Sequence, residues 1–406
     1  MRGYPNKNNR KQFLKAAGLF FICNLFLFAC IDLYKVEIQT NKSYLIVEGT
    51  ISNLPERQVI SIFRTKTDAV FKSSEFTSTI VAQRGGSEPV TKAKVAVIEN
   101  AQTRYQLTET EPGFYAMPDL FLGKVGNTYQ LSIETAAGQK YLSSVETIVP
   151  VPSIDRIYEK FNAKGIFDRS TSAGQIATND FYVDFQDPAD QRNFYRWSSV
   201  TYEIQRICAT CRGGRYYVET SGAGCRQDSD LSVNNFFDYE CRTLCWDVFQ
   251  SSTLDIFSDV FTNGKLQKDK LVAQIPLYQA NPALVVIRQM SLSANAYRYY
   301  KLVQDQSVNT GSLADTPPAP IRGNVANAAD ETELVLGYFS ASEIAENRYW
   351  LERRNTSGAL PNGLFATKTG RDPNLEQPSD LRNIIPLSDC VLSNSRTPNS
   401  PSGWRF

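Results

Sequence analysis

Tyr44-Leu45-Ile46-Val47-Glu48-Gly49-Thr50-Ile51 is the stretch on which the fold turns. Its aliphatic and β-branched residues over a short span predict a partly buried strand. The same signature returns in Gln58-Val59-Ile60-Ser61-Ile62-Phe63-Arg64. A looser polar loop over about 66–86 ends at Gly85-Gly86. Strand patterns resume in Ala93-Lys94-Val95-Ala96-Val97-Ile98, Arg104-Tyr105-Gln106-Leu107-Thr108 and Gly113-Phe114-Tyr115-Ala116. Thr128 to Glu134 and Lys140 to Val145 flank Ala136-Ala137-Gly138 as a hairpin. About seven short strands over roughly 110 residues are the pattern of a β-sandwich of immunoglobulin or transthyretin type. Residues 43–150 are read as that domain.

Val149-Pro150-Val151-Pro152 interrupts the pattern, because proline cannot donate to a sheet ladder. Residues 151–350 are read as a second, larger β-rich domain. Its strand signals are Phe181-Tyr182-Val183-Asp184-Phe185, Asn193 to Ile207, Lys270 to Ile275, Ala283 to Arg288, Glu333 to Ser340 and Asn347 to Glu352. It holds one helix: Ser291-Leu292-Ser293 offers an N-cap to Ala294–Gln306, with Ala296, Tyr299, Tyr300 and Val303 on one face. The tyrosine stripe reads as core packing. Residues 208–245 are glycine-rich and polar, an excursion from the sheets, and 351–406 form an irregular, proline-bearing tail. The fold class expected is thus mainly β with one helix and a disulfide-stapled insertion.

Ahead of the first strand, Arg2, Lys7, Arg10, Lys11 and Lys15 precede an apolar run, Ala16 to Ala29. Charged, then apolar, then small is the grammar of a signal peptide over 1–29. The run falls short of the ~20 apolar residues of a spanning helix. Leu27-Phe28-Ala29-Cys30 resembles a bacterial lipobox, which implies acylation of Cys30 with palmitate-type chains and a tether over 30–42. Two or more acyl chains make a stable anchor. The folded part is then expected in an oxidising compartment, on the outer membrane and facing the cell surface, with the periplasmic face as the other option.

Composition narrows the chemistry. Loss of the five basic residues before Cys30 takes the 43 basic side chains to 38 against 42 acidic, a net of −4. No basic stripe calls for nucleic acid. The 406 residues contain no histidine, which excludes Ser-His-Asp and Cys-His catalysis, histidine metal sites and histidine pH switches. Of eight cysteines, Cys23 lies in the signal and Cys30 at the lipid site, leaving Cys208, Cys211, Cys225, Cys241, Cys245 and Cys390. An even set in an exported chain reads as disulfides, with 15 connectivities open. Zinc on Cys208-x-x-Cys211 with Cys241-x-x-x-Cys245 fits the spacing but not the compartment. No cofactor is expected.

Three further constellations carry chemistry. Asp184, Asp187 and Asp190 offer oxygen ligands for calcium, against the plainer reading of an Asp-Pro turn. Asp228, Asp230, Asp238 and Glu240 could supply carboxylates for a surface hydrolase, against the plainer reading of solvated loop acids. Loop aromatics Tyr216, Tyr217, Phe236 and Phe237 are the contact-surface candidates, because loops bury aromatics poorly.

Several stretches together resemble one family, the Bacteroidota-type outer-membrane lipoproteins described as domain of unknown function 4249. They are the lipobox, Leu45 to Gly49, Val90 to Val97, Gly113-Phe114-Tyr115, Gly126 to Leu131, Asp187-Pro188-Ala189-Asp190, Tyr297-Arg298-Tyr299-Tyr300, Pro317 to Asn324, Gly337 to Ser342, and Asp389-Cys390 with Pro401 to Trp404. The family's ending has a close cysteine pair. Here Cys390 stands alone, so its partner is expected within 208–245. The resemblance implies an envelope lipoprotein working beside TonB-dependent outer-membrane barrels, and no catalytic residues. The expectation is a non-enzymatic binding or accessory subunit docked on such a β-barrel. The alternatives are an accessory of outer-membrane protein assembly or secretion, and a tethered carboxylate hydrolase.

Overall fold

The computed structural model describes residues 43–66, 86–167, 174–219, 222–229, 231–251, 253–277, 279–307, 320–354, 372–378 and 384–406. The expected signal peptide, Cys30 and its tether, most of the 66–86 loop, and Asp230 lie outside them.

The first module runs β1 (Leu45–Ser52), β2 (Val59–Thr65), β3 (Ser87–Pro89), β4 (Lys94–Glu99), β5 (Thr103–Gln106), β6 (Thr108–Glu111), β7 (Phe114–Ala116), β8 (Thr128–Glu134), β9 (Lys140–Ser143) and β10 (Glu146–Thr147). Side chains alternate across a strand, so a half-buried strand puts every second residue in the core. In β8 these are Tyr129, Leu131 and Ile133. Leu45, Val47, Ile60 and Ile62 from one sheet meet Val95, Val97, Leu131 and Tyr141 from a second across a single apolar core.

The chain then continues through β11 (Arg156–Phe167), β12 (Gln175–Gln186) and β13 (Phe194–Ile204). Two hairpins follow, built from β14 (Ile207–Arg212), β15 (Arg215–Val218), β16 (Gly224–Gln227) and β17 (Phe236–Glu240). After them come β18 (Trp246–Gln250), β19 (Asp255–Ser258), β20 (Leu266–Pro276), β21 (Ala283–Ser291) and α1 (Ala294–Ser307). Sheet β11-β12-β20 faces sheet β21-β13-β18, and Phe181, Phe185, Tyr195, Trp197 and Ile287 fill the space between. The helix starts where the sequence placed it: the Ala296 N–H donates to Ser293 Oγ at 3.1 Å. Its tyrosines pack on Tyr338, with the Tyr299 and Tyr338 rings 4.9 Å apart.

The last third of the chain divides between the modules. β22 (Val325–Asn327), β23 (Val335–Leu336) and β24 (Phe339–Ser342) return to the first one. β25 (Ile344–Leu351) joins β21, and β26 (Arg396–Thr397) joins β18. β23 and β24 both pair with β1 in parallel, and β22 pairs with β9. The expected division at residue 150 therefore follows sequence order but not the sheets. Residues 325–342, assigned by sequence to the second domain, complete the first core with Val325, Val335 and Phe339. Gly337 makes this return possible. Its φ is +82°, and a Cβ there would lie 2.2 Å from the Val47 carbonyl oxygen.

The modules are fastened by polar contacts. Glu146, 1% exposed, accepts from Ser293 Oγ at 2.7 Å, the Tyr338 hydroxyl at 2.8 Å and Ser144 Oγ at 3.1 Å. Arg288 donates twice to Glu56, at 2.9 and 2.7 Å, and once to Glu346 at 3.0 Å.

Candidate functional site

The hairpin unit between β13 and β18 is too small to bury a large core, so covalent staples carry its stability. Cys208–Cys241 and Cys211–Cys225 join its strands, and Cys245–Cys390 ties its base to the tail. All six cysteines expected to pair do so, and the partner of Cys390 lies within 208–245 as the family comparison implied. The sulfurs of Cys208, Cys241 and Cys245 sit within 4.8 Å of one another. A disulfide sulfur is not a thiolate, so this set offers zinc no ligand in its oxidised form.

The aromatic contact surface expected here does not assemble. Tyr217 is buried, its ring 5.4 Å from that of buried Tyr239, and its backbone N–H donates to the Tyr239 hydroxyl at 2.9 Å. Phe237 packs against the same small core, and Tyr216 and Phe236 are half-buried. Two stacked hairpins around the Cys211–Cys225 bridge create an interior that loop composition did not reveal.

The acidic candidates also part company. Asp238 is fully buried and holds the tail, accepting from Thr210 Oγ1 at 2.7 Å and the Asn374 N–H at 2.8 Å. Glu240 is exposed and pairs with Arg206 at 3.7 Å. No hydrolytic pair forms from these two. Asp184 accepts from the Asp269 N–H at 2.8 Å and faces Arg156, Asp187 is buried, and Asp190 is exposed, so the three stand in different surroundings.

Exposed aliphatic residues flank the Cys245–Cys390 bridge. The tail crosses the hairpin base by backbone bonds: the Ser388 N–H donates to the Glu240 carbonyl and the Arg242 N–H to the Ser388 carbonyl, both at 2.8 Å. Cys245–Cys390 pins the crossing. Leu244, next in the chain to Cys245, and Val391-Leu392, next to Cys390, are left 50%, 72% and 65% exposed, and Leu387 and Ile384 earlier in the tail are exposed too. Arg242 lies at the same crossing, pairing with Glu219 and Asp389 at 3.0 Å each. The Asp389 and Glu219 carboxylates hold its guanidinium pKa above the usual value. An apolar centre with a charged edge is the composition of a protein contact surface. The sequence signal was Cys390-Val391-Leu392, two aliphatics after the last cysteine in an otherwise aperiodic tail.

A concavity of about 620 Å³ opens at the module junction, between Val145–Pro150, the Gln191–Phe194 turn and the start of α1. Exposed Arg192 and Arg298 stand on its walls, and Glu146 beneath is committed to the fastening described above.

A family model described as domain of unknown function (DUF4249) matches residues 31–348. The chain belongs to this family. The DUF4249 match covers both modules and the hairpin unit and stops before the tail that carries Val391 and Leu392. No curated protein and no solved structure matches the chain. Among the described residues of this DUF4249 chain, no helix is long and apolar enough to cross a membrane.

Proposed function

We propose that this chain is a non-enzymatic accessory subunit of the outer membrane, anchored through lipid on Cys30, that docks on a β-barrel of the TonB-dependent transporter class. The observation that carries the reading is that Leu244, Val391 and Leu392, the neighbours in sequence of the two bridged cysteines Cys245 and Cys390, are exposed aliphatics. Rigid anchors lose little entropy on binding, so a small apolar face can contribute affinity. The lack of histidine supports recognition over hydrolysis, because most nucleophilic machinery is closed to this sequence.

The test uses the full-length chain with an affinity tag, solubilised in mild detergent. A stoichiometric barrel is expected to co-purify. The triple change Leu244→Ser, Val391→Ser, Leu392→Ser is expected to abolish its recovery while leaving the melting temperature unchanged. A monomeric, partner-free chain, or undiminished recovery by the triple variant, would overturn the reading. The identity of the captured barrel separates uptake from assembly or secretion. Mass spectrometry of the mature N-terminus checks acylation of Cys30.

A further inference from the structure

The base of the hairpin unit brings two disulfides side by side. Cys208–Cys241 joins β14 to the residue after β17, and Cys245–Cys390 joins the residue before β18 to the tail. Backbone bonds set them together: the Cys241 N–H donates to the Arg206 carbonyl and the Gln205 N–H to the Cys245 carbonyl, both at 2.8 Å. The sulfurs of Cys208, Cys241 and Cys245 consequently all lie within 4.8 Å of one another. Access differs between the two ends of the tail bridge. Cys245 is 0% exposed, whereas Cys390 is half-buried.

Disulfides exchange when a thiolate attacks one sulfur and the other leaves as a thiolate. A thiol from solvent reaches Cys390 more readily than Cys245, so Cys245 is the leaving group. It then stands as a nucleophile next to a second disulfide, and groups held together react far faster than groups that must meet in solution. Released from Cys390, the Cys245 side chain can change rotamer to close the remaining gap. We propose that the two bridges form a thiol–disulfide relay, in which opening the tail bridge passes the hairpin bridge on to Cys245. The reductant is a dithiol, such as a thiol–disulfide oxidoreductase presents. Its first thiolate bonds to the Cys390 sulfur and expels Cys245. Cys245 bonds to Cys208 or Cys241 and expels the other. The reductant's second thiolate then attacks its own bonded sulfur, releasing Cys390 and closing the reductant's disulfide. Two electrons enter the chain, and the two protons of the dithiol end on Cys390 and on Cys208 or Cys241. Three bridges become two. The tail loses its covalent tie while a bridge stays at the hairpin base. This redox lock does not depend on what partner the protein docks on.

The test treats the full-length chain with limiting dithiothreitol near neutral pH and stops it with acid, because exchange needs the thiolate. Free thiols are labelled with a maleimide at mildly acidic pH and mapped by mass spectrometry without reduction. One thiol shared among three alike sulfurs rests on each about a third of the time, so among chains labelled at Cys390 about two thirds should carry the label of the other three on Cys208 or Cys241, with Cys245 bridged. That label on Cys245 in essentially every such chain, with Cys208–Cys241 unbroken, overturns the relay. Cys390→Ser frees Cys245 with no reductant and should give the same partition. Adding Cys245→Ser removes the nucleophile, so Cys208–Cys241 should then resist labelling, and its opening there would also overturn the relay. If a variant does not fold, the parent's label map decides alone.

Discussion

Replacing Cys245 and Cys390 together by alanine tests how the tail is held. The bridge closes a sequence separation of 145 residues, and Cys211–Cys225 one of only 14. Cross-link stabilisation grows with the logarithm of loop length, giving about 5 kcal/mol for the first and about 3 kcal/mol for the second. The long bridge should therefore be worth about 2 kcal/mol more than the short one, through the unfolded chain. The native tail keeps other contacts. Trp246 pairs with Thr397 in β26, Arg396 Nε meets Asp247 at 2.8 Å, and Trp404 packs edge-on against Trp246 and Trp350 at 5.6 and 5.0 Å. Equilibrium urea unfolding followed by tryptophan fluorescence reads both effects, since three of the four tryptophans sit at this docking point. The Cys245/Cys390 variant is expected to keep native emission without denaturant, lose about 5 kcal/mol and show a steeper urea dependence, because its unfolded state is less compact. A smaller loss than that of the Cys211/Cys225 double variant would refute the loop-entropy reasoning. Altered emission in plain buffer would show that the bridge, not the packing, docks the tail.

Three further perturbations follow from the buried polar groups and the close backbone contacts. Arg353 donates to the Gln279 and Asn281 carbonyls and ion-pairs with Glu203, both side chains fully buried, so Arg353→Met should cost about 3–5 kcal/mol by stranding the glutamate. Burial already pushes the Glu203 carboxyl pKa up, so in the variant the loss should be smaller at about pH 5 than at about pH 8, where the folded state must hold the charged form; urea midpoints at both pH values check the sign. Gly337→Ala should destabilise by about 1–3 kcal/mol for its left-handed backbone alone, with the clash against Val47 added, and an unchanged midpoint would refute the close approach. Burial pushes Tyr129 and Tyr299 up to about 12, so alkaline absorbance titration should find them ionising after the tyrosines of the urea-unfolded chain; their stabilisation is complete below pH 10 and is lost through about 12, and a single transition near 10 in the folded chain would refute it.

Local pattern carried much of the architecture. The alternation in Thr128 to Glu134, the apolar run of Ala283 to Arg288 and the cap at Ser293 each specify an element through its own residues, because side-chain period and capping act over a few positions. The even set of six cysteines after residue 200 likewise pointed to pairing, and the absence of histidine closed the histidine-dependent classes of catalysis before any fold was known. Tertiary structure alone decided where the elements went. Glu333 to Ser340 read as one strand, yet the structure divides it at Gly337 into Val335-Leu336 and Phe339 to Ser342, whose parallel place beside β1 joins positions some 290 residues apart, and nothing in either segment encodes its partner. Tyr217 looked like a loop aromatic until the strands of the hairpin unit closed over it, and Asp238 looked like a solvated loop acid until the Asn374 N–H of the tail reached it. Burial and charge pairing are properties of neighbours in space, and a linear pattern reports only neighbours along the chain.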